Sequence, residues 1–169
     1  MIDIDIKNMD GRFKLRTSGI IEKDNKVLVQ KSKKFDGYVY PGGHIELGEL
    51  SKEAILREIK EETNLEMKIE NLICLNENIY NGKDNEICHE INYYYKLTPI
   101  NDIETKEFTI VENDKGTIKE QNFYWININK LTENNVRPLN ISKLLEENIN
   151  TKNLILEIDE RNKWYYKII

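Results

Sequence analysis

Glu58, Glu61 and Glu62 stand at positions i, i+3 and i+4 of a charge-rich stretch. On an α-helix that spacing puts the three carboxylates on one face. Like charges so placed repel by roughly a few tenths of a kcal/mol per pair. A positive partner is therefore expected beside them. A hard, oxygen-seeking cation such as Mg²⁺ fits, and Mg²⁺ held by carboxylates keeps waters and phosphate oxygens in its shell. The arrangement points to phosphate chemistry. An isolated E-x-x-E-E on a charged helix would be no more than a solvated face, so the surroundings decide. Pro41 leads into Gly42-Gly43 shortly before the acidic stretch, and glycines let a backbone approach a ligand closely or take a positive φ. Glu49 lies eight residues before Arg57. The two pair only if one end of that stretch bends back; otherwise Glu49 is an ordinary first-turn acid favoured by the helix dipole.

The elements that must position these residues follow from periodicity. Ser51 to Glu62 predicts a helix, with Ala54, Ile55 and Ile59, and Leu50 before them, on one apolar stripe. Thr17 to Glu22 and Lys26 to Lys31 predict a hairpin about Asp24-Asn25. Met67 to Asn76 and Glu90 to Leu97 predict strands; in the second, Ile91, Tyr93, Tyr95 and Leu97 alternate with Asn92, Tyr94 and Lys96. Phe108 to Val111 and Phe123 to Ile128 predict two more, separated by a turn containing Gly116. Leu139 to Asn148, after Pro138, predicts a second helix, and Leu154 to Ile158 with Trp164 to Ile168 a last hairpin. No repeat or long linker divides the chain, so one domain is expected over residues 1–169, with 1–12 as a loosely attached arm. Mixed strands and two helices imply a layered α/β sheet.

Residues Gly43 to Leu65 resemble the Nudix box, G-x5-E-x7-R-E-U-x-E-E-x-G-U, where U is a bulky aliphatic. Gly43, Glu49, Arg57-Glu58, Ile59, Glu61-Glu62 and Leu65 match, and eight of nine defined positions are intact over 23 residues. Asn64 replaces the second glycine. That position ends the helix in the left-handed region, where asparagine is the next best residue, so a small stability cost and no loss of chemistry are expected. Gly37-Tyr38 and Tyr40-Pro41-Gly42-Gly43 look like the family's lead-in, and Trp125 and Leu131 like its downstream segment. The resemblance spans about residues 16 to 135 and leaves the last 35 or so without a family signal.

The resemblance implies an α/β/α sandwich with a mixed β-sheet. It implies a hydrolase cutting a phosphoanhydride in a nucleoside diphosphate-linked substrate. Glu58, Glu61, Glu62 and the Gly43 carbonyl would bind Mg²⁺, or Mn²⁺ in its place. Arg57 would pair with Glu49 and orient the acidic cluster. The general base is expected to be Glu58, with Glu120 as the outside candidate, and Tyr38, Gly42 and His44 are expected near substrate. Substrate class stays open among nucleoside triphosphates, nucleotide sugars, ADP-ribose and dinucleoside polyphosphates. The SQPWPxS marker of NADH-cleaving members is absent. So is the proline that ADP-ribose enzymes often carry about 15 residues past the box, and Tyr80 lies in that region, where dinucleoside polyphosphate enzymes tend to have a tyrosine. A non-catalytic nucleotide-sensing module is the alternative, although such domains usually lose box glutamates.

The remaining residues limit rather than extend this reading. A net charge of -5 argues against general nucleic-acid binding, but not against a small phosphorylated substrate carried in with a cation. No apolar run approaches the roughly 18 residues a membrane span needs, and no signal peptide starts the sequence; the cytoplasm is the expected location, with a second copy of the chain, as a homodimer, the one protein partner considered. Cys74 and Cys88 lack CxxC spacing and read as reduced core thiols. His44 and His89 have no serine or cysteine placed for a triad. Lys31, Lys33 and Lys34 read as solvated, with phosphate contact the sharper alternative, and Tyr93 to Tyr95 read as core residues of a strand.

Overall fold

The computed structural model describes residues 2–82, 85–114, 117–148, 154–159 and 167–168. The chain runs β1 (Asp5–Lys7), β2 (Arg12–Lys23), β3 (Lys26–Lys31), β4 (Tyr38–Val39), β5 (Gly42–His44), α1 (Ser51–Thr63), β6 (Met67–Asn81) and β7 (Ile87–Pro99). It continues through β8 (Phe108–Asp114), β9 (Thr117–Asn127), a 3₁₀ turn (Ile128–Lys130), β10 (Val136–Arg137), α2 (Leu139–Glu146), β11 (Leu154–Asp159) and β12 (Lys167–Ile168).

β2 organises the sheet. Ten of its twelve residues pair in parallel with β7, from Arg12 opposite Cys88 to Ile21 opposite Leu97. Its other edge takes β5 and then β3, both antiparallel. β6 pairs antiparallel with β7 and parallel with β11, so the sheet is mixed. The β2–β3 connection uses Asp24 and Asn25 at φ 51° and 56°. Two positive φ values suit a tight hairpin turn, and Asn and Asp tolerate them best after glycine.

Consecutive side chains in these strands enter opposite layers, because strand side chains alternate. Ile20, Val27, Val29 and Tyr94 pack with Ile141 and Leu144 of α2. Ile21, Leu28, Tyr95 and Leu97 pack with Ile55 and Ile59 of α1. The result is the expected sandwich, one helix on each face. Burying Ile55 and Ile59 is worth roughly 1.5–3 kcal/mol each. That exceeds the repulsion among the helix's carboxylates, so packing holds α1 in place however the acids are arranged.

Asn64 caps α1 in the left-handed region at φ 58°, ψ 14°, its N–H donating to the Lys60 carbonyl. Glycine carries no steric cost there. Asn64→Gly is expected to raise stability by about 0.5–1 kcal/mol in urea unfolding and to leave turnover unchanged; a loss of stability would contradict the assigned cap.

Several expectations need correction. Residues 1–12 do not form a loose arm where they are described. Asp5–Lys7 pairs with Arg12–Lys14, Asp3 bridges to Glu46, and Arg12 donates from Nε to Asp5 at 2.6 Å. Ile2, Ile4 and Ile6 alternate with Asp3 and Asp5 at strand spacing, and the backbone there completes a sheet edge. β6 and β7 extend well beyond the predicted strands, and on the added end of β6 Asn78 and Tyr80 face a cavity rather than the core. Tyr94 is buried as the sequence predicted, and Asn92 is buried beside it. Cys74 and Cys88 are free and buried; Cys88 lies opposite Tyr80, six residues along β6 from Cys74, about 20 Å at strand rise. The Gly116 turn and the connection from 160 to 166, which includes Trp164, lie outside the described residues. No described helix is long and apolar enough to cross a membrane.

Candidate active site

β5 lays Gly42 and Gly43 against β2, opposite Ser18 and Thr17. Gly42 sits at φ 141°, and a Cβ there would stand 2.2 Å from the Thr17 carbonyl oxygen. At Gly43 a Cβ would stand 2.1 Å from Cδ of Glu58. The absent side chain is thus the space the Glu58 carboxylate fills. Gly42 is held from two sides: its N–H donates to Glu62 Oε2 at 3.0 Å, and its carbonyl accepts from Arg16 Nη2 at 3.2 Å.

Arg57 joins the remaining parts. Its Nε and Nη2 donate to the two carboxylate oxygens of Glu49 at 2.8 and 2.9 Å. Nη2 also reaches the His44 carbonyl at 3.1 Å, and Nη1 reaches Glu58 at 3.0 Å and Glu61 at 3.2 Å. The bend that brings Glu49 back lies before the helix, where Gly48 takes φ 88° and the Glu49 N–H donates to the Glu46 carbonyl. Glu49 accordingly sits beside α1 rather than on it. The Arg57 guanidinium holds the Glu49 carboxyl below its ordinary range. Burial pushes the Glu58 carboxyl up, against the opposing pull of Arg57. As the side chains stand, no three acidic or histidine groups among the described residues converge on one point. Glu58 and Glu61 lean on Arg57, and Glu62 leans on Gly42.

Gly42 and Arg16 also line a cavity of about 770 Å³ that opens beside this acidic face. Lys31, Lys33, Lys34 and Arg137 stand around it, so a protein of net charge -5 carries a cationic cleft. The lysines read above as solvated therefore face a ligand-sized space, although Lys31 also pairs with Asp36 at 2.7 Å. Residues 13–145 match the family model described as the Nudix domain. The chain belongs to the Nudix family. A stretch of 71 residues is 46% identical to an ADP-ribose pyrophosphatase of Methanocaldococcus jannaschii, covering 40% of each protein. The chain thus spans well under half the length of that curated relative. The fold is similar to that of a mutator MutT protein from Bacillus halodurans, at TM-score 0.62 and 15% identity over 92% of this chain and 97% of that one. It is likewise similar to a Nudix hydrolase from Nitrosomonas europaea, at TM-score 0.59 and 19% identity over 90% and 97%.

Within this Nudix domain the residues named from sequence separate into two groups. Gly42, Gly43, Glu49, Arg57, Glu58, Glu61 and Glu62 come together. Tyr38, His44 and Glu120 are not among the described residues lining the cavity. Tyr38 packs edge-on against Tyr124 at 5.4 Å, with Lys31 Nζ 4.8 Å from its ring centre. The His44 ring turns to the N-terminal strand, its Nε2 3.5 Å from Asp5, and burial lowers its pKa. Glu120 is exposed on β9 opposite Val111, while its neighbour Gln121 takes the cavity-facing place. Sequence reasoning missed Arg16, Glu90, Asn92 and Asn140. A signal existed for the first three: Lys14, Arg16 and Ser18, like Glu90 and Asn92, put polar groups at every second position of strands that are otherwise apolar.

Proposed function

We propose that this Nudix protein is a Mg²⁺-dependent hydrolase of phosphoanhydrides in nucleoside diphosphate-linked substrates. The observation that carries this reading is the single hydrogen-bonded assembly of Glu49, Arg57, Glu58 and Glu61 beside Gly42-Gly43, at the edge of a cationic cavity. The donor set fits a hard divalent cation. Glu58, Glu61 and Glu62 and the Gly43 carbonyl offer only oxygens, and the Gly43 cradle brings a carboxylate against the backbone. These four residues would hold Mg²⁺, with Mn²⁺ as a substitute. A bound cation neutralises phosphate charge and lowers the pKa of a water.

The chain's own groups do the rest. Arg57 fixes Glu58 and Glu61 with charge-assisted bonds and does not itself need to touch substrate. Glu58, whose carboxylate fills the cradle at Gly43 and is fixed by Arg57, is the assigned base for the attacking water. Arg16 and the lysine rim bind the phosphates, and the Glu62–Gly42 bond fixes the loop between metal face and cavity. The Methanocaldococcus relative is named for cleaving ADP-ribose, which supports a nucleoside diphosphate ester as substrate.

The test is hydrolysis of nucleoside triphosphates, ADP-ribose, nucleotide sugars and dinucleoside polyphosphates in Mg²⁺. Turnover is expected to vanish with chelator and to fall about 100-fold or more in Glu61→Gln and Glu62→Gln. Both variants should unfold near the wild-type midpoint, since glutamine keeps the side chain's shape and an acceptor oxygen, including the one that takes the Gly42 N–H. Stoichiometric nucleotide binding without turnover of any compound would replace the enzyme reading with a nucleotide sensor.

A further inference from the structure

Three strands turn one polar face toward the cavity, and their register sets a grid. Across β2, β7 and β6 the first row is Lys14, Glu90 and Asn78, and the second is Arg16, Asn92 and Asn76. Ser18 and Tyr94 begin the third. α2 adds Asn140 from the opposite layer, donating from Nδ2 to Asn76 Oδ1 at 2.8 Å. Asn92 donates from Nδ2 to Ser18 Oγ at 3.1 Å and to Tyr94 Oη at 3.2 Å. The amide nitrogens are thus committed within the protein. The amide oxygens are not: Asn92 Oδ1 and Asn140 Oδ1 are buried and have no partner. The two residues are only 4% and 5% exposed, and both line the cavity. Buried acceptors are nearly always satisfied, so two orphans facing one cavity from its two sides mark places for a ligand's donors.

Glu90 supplies a third acceptor. It is the carboxylate lining this cationic cleft among the described residues. Its neighbour Tyr80 stands with Oη 3.5 Å from Glu90 Oε2 and accepts from the buried Lys14 amine at 2.8 Å. Across the strands Glu90 also faces the buried Lys14; toward the cleft its carboxylate repels phosphate and suits a neutral, donor-rich part of the ligand.

Resting on the phosphoanhydride reading above, we infer that these groups form the sugar subsite of the cavity. The substrate class is a nucleoside diphosphate sugar whose free hydroxyls donate to Glu90, Asn92 and Asn140. The spacing favours a sugar over a base. Glu90 and Asn92 are two residues apart on one strand, about 7 Å, and Asn140 faces them from a helix. A base presents its donors along one edge of a flat ring. A sugar spreads hydroxyls around its ring, and each donates one proton while still accepting. The phosphates then lie toward Arg16 and Gly42, nearest the acidic face of α1.

The experiment compares kcat/KM of the full chain in Mg²⁺ for ADP-ribose and UDP-glucose with that for ATP and a dinucleoside tetraphosphate. Glu90→Gln, Asn92→Leu and Asn140→Leu are measured on the same panel. Wild type is expected to favour the sugar substrates. Each variant is expected to lower the sugar-to-triphosphate ratio of kcat/KM by about 10–100-fold. The ratio separates recognition from folding, because damaged packing lowers both substrates together. A UDP-sugar lacking one hydroxyl should lose rate with wild type and lose less with the variant whose acceptor that hydroxyl meets. Cleavage of triphosphates with no preference for sugars, or an unchanged ratio in all three variants, would overturn this assignment alone. No hydrolysis of any compound would overturn the phosphoanhydride reading with it.

Discussion

Arg57→Ala is expected to lose both stability and activity. The substitution removes a guanidinium that donates to Glu49, Glu58, Glu61 and the His44 carbonyl. It also strands the Glu49 carboxylate, whose side chain is 8% exposed. Breaking a buried ion pair costs about 3–5 kcal/mol. Arg57 is 25% exposed, so water recovers part of this, and about 2–3 kcal/mol is expected in urea unfolding. Turnover should fall about 100-fold or more, as the two carboxylates lose their common anchor. Arg57→Lys should recover part of the stability and little of the rate, because an ammonium cannot match the paired oxygens of Glu49. The pH dependence has a definite sign. Glu49 is held below its ordinary value of 4.5 by Arg57. Its contribution to stability is therefore present above that value and is lost as pH falls through the lowered folded-state pKa. Arg57→Ala should flatten this acid limb of the stability curve; an unchanged limb would detach Glu49 from Arg57.

Gly43→Ala is expected to separate the two properties. The new Cβ would meet the Glu58 carboxylate at 2.1 to 2.3 Å. A carboxylate at the end of a flexible chain can swing away, so folding should cost about 1 kcal/mol. The carboxylate that swings away is the assigned base, and turnover should fall about 100-fold. Gly42→Ala differs in kind. There the Cβ meets the Thr17 backbone oxygen and the backbone stands at φ 141°, and neither can give without moving β5 off β2. The expected result is a poorly folded protein. Circular dichroism beside kcat for the two variants checks the contrast; Gly43→Ala with full activity would remove Glu58 from its assigned place.

Why was one half of the site legible in sequence and the other not? The acidic half lies on one helix and its preceding loop, so local spacing carries it. Ile55 and Ile59 orient α1, and that orientation aims Glu58, Glu61 and Glu62. Asn64 shows the same locality: its left-handed cap is a property of one residue and its neighbours. The cavity half is assembled by register. Glu90 lies beside Lys14 and Asn78 only because β7 pairs with both β2 and β6, and pairing between distant strands leaves no local spacing. Alternation alone marked Asn92 as polar and outward. A second layer, formed by α2, converted that outward face into a buried wall. His44 failed in the opposite sense: it adjoins the glycines in sequence, yet strand alternation turns its ring away to Asp5. Proximity in sequence is a poor guide within a strand, where neighbours face opposite ways.

Attack of water on phosphorus is the claim on which the account turns. Hydrolysis of ADP-ribose in Mg²⁺ and half-labelled H₂¹⁸O, followed by ³¹P NMR, tests it directly. The predicted result is a phosphate monoester product carrying one ¹⁸O on phosphorus, formed only with the divalent cation present. Release of ADP and of ribose carrying the label on its C5 oxygen, or turnover that persists in chelator, would contradict it.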